Sequence, residues 1–391
     1  MYQRLGISWQ LSDFSGWGVF GWNLVQELAR LGEPVPLLLT PPDIKVLTAL
    51  ERRFLEPLIK EQASIEAAAA ENPGQLAVVA DAVVLHHLGN NLALSEISSS
   101  VQGQGNVGVV FMENPLIDKE AFARASKFDS VIAGSTWNGS VLRNAGLGNV
   151  QVVLQGIDPT HFRPAPESKR LFTDRFVIFS GGKLEYRKGQ DIVLAAFKIF
   201  RQRRPDALLV TLWHNPWASS SQSLRLSGHV DGPPTIDDDG ALRIGDWATA
   251  HGIPPAAFID LGQIPNSHLA PILHQMDAAV FPNRCEGGTN LVAMECMACG
   301  VPTALSNNTG HGDLIAGDSC YVLDDQGPVP SPDGRTEGWG ESSVDQVVET
   351  LERIYANRPE AARRGAAGAK LLATLTWRTQ VDRLLAAIDG R

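Results

Sequence analysis

The sequence predicts a parallel α/β protein made of two doubly wound domains. Short apolar runs alternate along the chain with amphipathic stretches of helical period. The apolar runs are continuous, which is typical of strands covered on both faces of a sheet. The series of runs occurs twice, on either side of a polar, proline-containing segment at residues 157–170 that we predict to be an interdomain linker.

The first half of the chain contains four apolar runs that we predict to be buried strands. They occupy residues 76–87, 107–114, 129–135 and 150–156. In residues 21–32 (GWNLVQELARLG), apolar side chains recur every three or four positions, which predicts an amphipathic helix that covers the sheet.

The second half repeats this pattern. Its apolar runs occupy residues 175–182, 206–214, 256–263, 277–283 and 301–306, with a helical period at 190–205. Residues 214–252 are rich in Ser, Gly and Pro and predict a long surface excursion. The tail after residue 342 predicts short helices that are broken near Pro359 and Gly365.

We therefore predict an N-terminal domain over residues 1–165, a C-terminal domain over residues 166–374 and a last helical segment over residues 375–391. Ligands of such folds bind in the cleft at the carboxyl ends of the strands.

Composition limits the classes of function. With 44% hydrophobic and 19% charged residues among 391, the chain is typical of a soluble globular protein. The apolar runs are shorter than the roughly 18 residues of a membrane span, and the N-terminus lacks the features of a signal peptide, so we expect a cytoplasmic protein. A net charge of −10 argues against a nucleic-acid partner. Residues 44–60 leave peripheral membrane contact open, although they carry few basic side chains.

Cys296 and Cys299 form a C-x-x-C pair without further zinc ligands at matching spacing. We interpret them as small buried residues and expect no metal site.

Residues 283–300 (NRCEGGTNLVAMECMACG) place a glycine turn at the start of a predicted helix. The free amides and positive dipole end of such a helix favour an anion. Glu286 and Glu295 flank this position; carboxylates repel an anion but accept hydrogen bonds from hydroxyls. The pattern fits a diphosphate between two sugars, hence a nucleotide sugar, although a surface charge and a helix-dipole partner explain the two glutamates equally well. The predicted anion-binding residues are Gly288, Thr289, Asn290 and Leu291.

A second segment, residues 180–191 (SGGKLEYRKGQD), joins a predicted strand to a predicted helix. Lys183 and Lys188 supply cations for a diphosphate beside Gly182, and Arg187 is a further candidate. Fixed cations together with a helix dipole offset the charge of a leaving diphosphate without a metal. A solvated turn with ordinary surface lysines is the alternative for this segment alone.

These segments resemble the retaining GT-B glycosyltransferases, specifically glycosyltransferase family 4, or glycosyl transferases group 1. SGGKLEYRKGQ (180–190) resembles the family's G-(R/K)-x4-K-G segment, and ECMACGVP (295–302) resembles its EAMACG-x-P motif. LQGIDPTHFRP (154–164) resembles the linker, and LTW (375–377) resembles the start of a last helix that returns to the N-terminal domain. The similarity is strongest over about residues 150–320.

The resemblance implies that Lys183 and Lys188 bind the donor diphosphate and that Glu295 accepts hydrogen bonds from ribose hydroxyls. The family separates its two glutamates by one residue fewer, which would put Gly287 at the first position. We expect the glycine turn to bulge so that Glu286 still reaches the donor sugar.

In the N-terminal half, residues 12–28 resemble the family's glycine loop, where Gly16 and Gly18 allow close approach of the donor phosphate or the acceptor. His86 and His87 end a strand at which the family often carries a histidine near the transferred sugar. We assign that role to His86, while one of the two is an ordinary strand-end histidine.

The predicted function is the metal-independent transfer of a sugar, with retention of configuration, from a nucleotide-diphosphate sugar to a glycan, lipid-linked or small-molecule acceptor. The N-terminal domain would bind the acceptor and the C-terminal domain the donor, with no separate cofactor. Two alternatives stay open: a nucleotide-sugar epimerase of the same fold, and a degenerate protein that binds a sugar nucleotide without turnover.

Overall fold

A computed structural model describes residues 2–71, 75–165, 169 and 171–390. In these residues the chain forms two parallel sheets with six strands each, followed by helices at the C-terminal end. The two-domain parallel α/β prediction is confirmed. Part of the predicted linker, residues 166–168 and 170, lies outside the described residues, and the predicted domain boundaries stay predictions.

The first sheet is built from the N-terminal half of the chain. Its strands are β1 (Arg4–Ile7), β2 (Val35–Leu38), β3 (Ala77–Leu88), β4 (Val101–Val110), β5 (Ser130–Ala133) and β6 (Val150–Val152). Its helices are α1 (Gly16–Leu31), α2 (Ala49–Glu71), α3 (Glu96–Ser100), α4 (Lys119–Ala125) and α5 (Thr136–Asn144). The strand order is β2-β1-β3-β4-β5-β6, with parallel pairing throughout.

The second sheet repeats this architecture. Its strands are β7 (Phe176–Gly181), β8 (Ala207–Leu212), β9 (Phe258–Asp260), β10 (Ala278–Phe281), β11 (Thr303–Ser306) and β12 (Tyr321–Leu323). Its helices are α6 (Gln190–Arg203), α7 (Ile244–Ala250), α8 (Leu269–Leu273) and α9 (Leu291–Ala298). The order β12-β11-β10-β7-β8-β9 is again wholly parallel.

A small antiparallel hairpin and three helices complete the chain. They are β13 (Gln326–Pro328), β14 (Gly340–Ser342), α10 (Val344–Ala356), α11 (Arg358–Leu372) and α12 (Trp377–Ile388). The predicted break near Gly365 is wrong, because this residue lies inside α11. A β-carbon there would stand 2.1 Å from the carbonyl oxygen of Gly300, so Gly365 allows a close helix contact rather than a helix end.

The last helix, α12, packs on the first domain. The Trp377 ring stacks on Phe20 of α1 with centroids 5.8 Å apart. The backbone of Ile157 exchanges hydrogen bonds with Leu375 and Trp377, at 2.8 and 3.1 Å. The end of the chain is therefore tied to the crossing between the domains.

The excursion at residues 214–252 is less superficial than predicted. It forms a 3₁₀ turn at Ala218–Leu226 and the helix α7, and it buries Leu224 and Trp247 in the second core. The four cysteines are buried free thiols. Among the described helices, none is both long and apolar enough to cross a bilayer.

Candidate active site

The carboxyl ends of both sheets open on one interdomain cavity of about 530 Å³. Leu88 ends β3 and Leu212 ends β8, and both line the cavity, as do Phe111 after β4 and Gly182 after β7. The cleft is therefore where the doubly wound architecture predicts a ligand site.

The Gly-Gly turn lies where the two domains touch. A β-carbon on Gly287 would stand 2.6 Å from the carbonyl oxygens of Phe111 and Met112, and one on Gly288 would stand 2.8 Å from the Phe111 ring. The Ser135 hydroxyl donates to the Gly287 carbonyl at 2.6 Å. Glycine is needed here because the first domain leaves no room for a side chain.

The backbone angles correct our expectation that the two glycines bulge by adopting unusual conformations. Positive φ occurs at Asn290, at 63°, and at neither glycine of the turn. Asn290 is the N-cap of α9, and its side chain accepts from the Ala293 amide at 3.4 Å. Gly288, Asn290 and Leu291 line the cavity, so the start of α9 faces the ligand space.

Glu286 lines the cavity and is the centre of a charge cluster. Its carboxylate contacts Lys188 Nζ at 2.6 Å and Arg187 at 3.3 Å, and it accepts from the Asn283 amide. Burial alone would raise the pKa of Glu286, but the charges of Lys188 and Arg187 outweigh it and lower the pKa to about 2. Of the two candidate positions, Glu286 and not Gly287 brings a carboxylate into the cavity.

The two predicted lysines both line the cavity. Lys188 is nearly buried and uses one hydrogen-bond donor on Glu286, which leaves donors of its ammonium group available to a ligand. Lys183 is 40% exposed, pairs with Glu185 at 3.4 Å and lies 5.1 Å from the ring centroid of Trp217. Gly182, at a φ of 115°, lets the backbone turn beside the Lys188 side chain.

Arg187, the further candidate, joins the domains. Its guanidinium contacts Glu185 and Glu113 at 3.2 Å each in addition to Glu286. Glu113 follows β4 of the first domain, so this ion pair fixes the two halves of the cleft relative to each other. Arg187 is 8% exposed, and its donors are largely used by these carboxylates.

Other contacts also hold the domains together. Asp313 accepts from the Thr136 amide and hydroxyl at 2.8 and 2.6 Å, and so caps α5 from the second domain. The indole of Trp339 donates to the Glu113 carbonyl at 2.9 Å. The Asn266 amide donates to the Asp13 carbonyl at 2.8 Å.

Glu295 does not line the cavity. It is 3% exposed, lies within α9, and accepts a hydrogen bond from the Asn266 side chain. Burial raises the pKa of Glu295 to about 8. Thr289 is also buried away from the cavity and donates to Met294 Sδ at 2.9 Å. The structure thus places both residues behind the ligand-facing turn.

On the first-domain side, His87 and not His86 lines the cavity. Successive strand residues point to opposite faces, and His86 is buried on the other face, where its Nε2 bonds Asn106 Oδ1 at 2.9 Å. The expectation that His86 faces the ligand space is therefore wrong; His87 faces it, and its ring centroid lies 4.3 Å from that of Trp17.

The two glycines of the first loop differ in role. Gly16 lines the cavity at the start of α1, and a β-carbon on it would meet nothing within 4 Å. Gly18 is buried, and a β-carbon there would stand 2.1 Å from Ser12 Oγ. Gly18 therefore serves packing rather than ligand approach.

Sequence reasoning did not single out Trp217 and Asn266. Trp217 is 58% exposed at the cavity wall, yet it lies in the stretch predicted to be a surface excursion. Asn266 reaches Glu295 from a separate segment. Neither carried a local motif that would have marked it.

Comparison with known proteins agrees with this geometry. Residues 162–327 match the family model described as "Glycosyl transferases group 1". A GDP-mannose-dependent alpha-(1-6)-phosphatidylinositol monomannoside mannosyltransferase of Mycolicibacterium smegmatis is 23% identical over 60% of this chain and 55% of its own length. A D-inositol 3-phosphate glycosyltransferase of Thermobispora bispora is 29% identical over 56% of this chain and 46% of its own. The chain thus spans about half the length of these relatives.

Two solved structures share the whole architecture. A sucrose-phosphate synthase from Thermosynechococcus elongatus superposes with a TM-score of 0.67 at 16% identity, over 99% of this chain and 98% of its own. Anabaena HepE in complex with UDP and glucose superposes with a TM-score of 0.65 at 12% identity, over 100% of both chains. The fold is GT-B, and most of the second domain is similar to the glycosyl transferases group 1 model.

Proposed function

We propose that this chain transfers a sugar from a nucleotide-diphosphate sugar to an acceptor hydroxyl, with retention of configuration and without a metal. The observation that carries the proposal is the Lys188–Glu286 pair beside the start of α9, within a cavity shared by both domains. A cation, a hydrogen-bond acceptor for hydroxyls and the N-terminal end of a helix thus border the same ligand space.

The donor diphosphate is proposed to lie between Lys188, Lys183 and the first turn of α9. A helix N-terminus and ammonium donors both stabilise phosphate oxygens. Glu286 is ionised because its pKa is about 2, and it accepts a hydrogen bond from a hydroxyl of the donor sugar. Lys188 keeps its contact with Glu286 while it donates to the diphosphate, which orients the sugar relative to the leaving group.

The proposed reaction takes place on one face of the sugar. The bond from the sugar C1 to the β-phosphate oxygen breaks, and the acceptor oxygen bonds to C1 on the same side. The acceptor proton passes to the departing phosphate oxygen, so no strong protein base is required. Lys183, Lys188 and the α9 amides stabilise the charge that develops on the diphosphate, as preorganised donors do in other active sites.

The proposed donors are nucleotide sugars that carry either uridine or guanosine. One relative is named for GDP-mannose, and HepE was crystallised with UDP and with UDP-glucose. Uridine- and guanosine-diphosphate sugars are therefore the first candidates for a donor screen. Acceptors named in the relatives include D-inositol 3-phosphate.

The test combines a donor screen with a matched pair of variants. Thermal shift with UDP, GDP and their sugars identifies the nucleotide, because a ligand of the folded state raises the melting temperature. Turnover of that donor is then compared in wild type, Lys188→Met and Lys198→Met. Lys198 is exposed on α6, the helix that follows Lys188. We expect Lys188→Met to lose about 10²–10³-fold in turnover and Lys198→Met to match wild type.

Equal turnover in Lys188→Met and wild type contradicts the diphosphate assignment. Proton NMR of the product anomer tests retention, and activity after exhaustive chelation tests metal independence. A second nucleotide sugar formed without acceptor would instead favour the epimerase, and nucleotide binding without any turnover would favour the degenerate protein.

A further inference from the structure

We propose that the acceptor is an uncharged sugar or polyol that binds through Glu113, and not a phosphorylated one. This inference rests on the proposed glycosyl transfer and names the substrate class of its second subsite. It follows from the charge and the ring surfaces that the first domain presents to the cavity.

The first domain contributes negative charge to the cavity. Asp43 and Glu113 line it. Among the described residues of the first domain that line the cavity, there is no lysine and no arginine. The neighbouring cation Lys45 is already paired with the Asp43 carboxylate. A phosphate ester placed here would find no unpaired cation among these lining residues, and a charged group that is desolvated without a partner is unfavourable.

Glu113 is held in position for hydroxyl recognition. Arg187 contacts one of its carboxylate oxygens at 3.2 Å, and the Asn90 amide donates to the other at 3.2 Å. The Asn90 side-chain oxygen in turn accepts from the Glu113 backbone amide at 2.9 Å. The carboxylate is 27% exposed and keeps lone pairs free for sugar hydroxyls. It shares Arg187 with Glu286, so a hydroxyl bound by Glu113 lies beside the donor sugar.

Aromatic rings form the adjoining wall. Trp17 lies 4.3 Å from His87 and 4.7 Å from Phe111, and all three line the cavity. The negative faces of such rings suit the C–H surfaces of a sugar and disfavour an anion. Burial lowers the pKa of His87, so its imidazole is not a ready cation for a phosphate.

The cations that the second domain brings to the cavity are paired with carboxylates or assigned to the donor diphosphate. Arg187 contacts three carboxylates, and Lys188 contacts Glu286. The donor diphosphate takes Lys183 and the remaining donors of Lys188. The start of α1, at Gly16, also borders the cavity and favours an anion; we assign it to the donor diphosphate, together with the start of α9.

The experiment compares matched acceptors with the nucleotide sugar that passes the donor screen. Glucose, fructose and myo-inositol are each paired with a monophosphate ester, and release of nucleoside diphosphate is measured. We expect at least one uncharged member to accelerate release, with a kcat/KM more than about 30-fold above that of its phosphate ester. Glu113→Gln should lower kcat/KM for that acceptor about 10–100-fold. The ratio of kcat/KM for the uncharged acceptor to kcat/KM for its phosphate ester should therefore become smaller than in wild type. Glu349→Gln, an exposed carboxylate on α10, should change neither value.

Two results would overturn the inference. One is a phosphate ester that matches or exceeds its parent, which would place the acceptor phosphate at the start of α1. The other is a donor that binds and hydrolyses while no uncharged member accelerates its release. Failure of every nucleotide to bind is a different outcome, because it removes the proposed glycosyl transfer itself.

Discussion

The burial of Glu295 makes a quantitative prediction about stability and pH. Its carboxyl is 3% exposed and has the Asn266 side chain as its hydrogen-bond donor. Burial raises its pKa from an ordinary 4.5 to about 8. Between these two values the folded protein keeps the group protonated while the unfolded chain ionises it. Since the folded state then binds more protons, the free energy of unfolding falls as pH rises through this window.

The size of the effect follows from the width of the window. Each pH unit contributes about 1.4 kcal/mol, so the whole window is worth at most about 5 kcal/mol. Histidines such as His311 titrate below about pH 6.5 and act in the opposite direction. Above that pH Glu295 accounts for a loss of about 2 kcal/mol by pH 8. His229, whose pKa is raised by its hydrogen bond with Glu341, adds to the loss in wild type and variant alike.

Glu295→Gln isolates this contribution, because the amide keeps the oxygen that accepts from Asn266. We expect the melting temperature of wild type to fall by about 2–3 °C more than that of the variant between pH 6.5 and pH 8. Differential scanning fluorimetry in matched buffers measures the difference. Parallel curves for the two proteins would show that Glu295 ionises normally, and would refute the burial argument.

Three other predictions concern the contacts around the site. Gly310→Ala puts a β-carbon 1.8 Å from the Gly288 carbonyl oxygen, so we expect a loss of about 1–3 kcal/mol in stability together with lower donor turnover; wild-type values for both would contradict the packing. Asp313→Ala removes the cap on Thr136 and should cost about 1 kcal/mol, measured by thermal melting. Burial lowers the pKa of His311 to about 4, so stability is lost as pH falls from about 6.5 towards 4. In His311→Gln, the melting temperature should depend less on pH over this range.

The sequence predicted the long central strands better than the edges of the sheets. Residues 76–87 and 206–214 are continuous apolar runs, and the structure has β3 and β8 there. β4 starts at Val101, six residues before the predicted run, because its first half is polar and is recruited by pairing with β3. β12 has three residues, too few to produce a periodic signal.

The site could be predicted where a motif and a ligand-facing turn coincide. Lys183, Lys188 and Glu286 all reach the cavity from such turns. Glu295 and His86 do not, because side-chain direction depends on the packing of α9 and on the pleat of β3. The contacts between the domains could not be predicted from the sequence either, since they join segments that are far apart along the chain.

The most direct test of the central claim is a crystal structure with the nucleoside diphosphate that the thermal-shift screen selects. We predict that a β-phosphate oxygen lies within hydrogen-bonding distance of Lys188 Nζ and of the first amides of α9. A nucleotide bound elsewhere, with the Lys188–Glu286 pair unchanged and no phosphate beside it, would contradict the account.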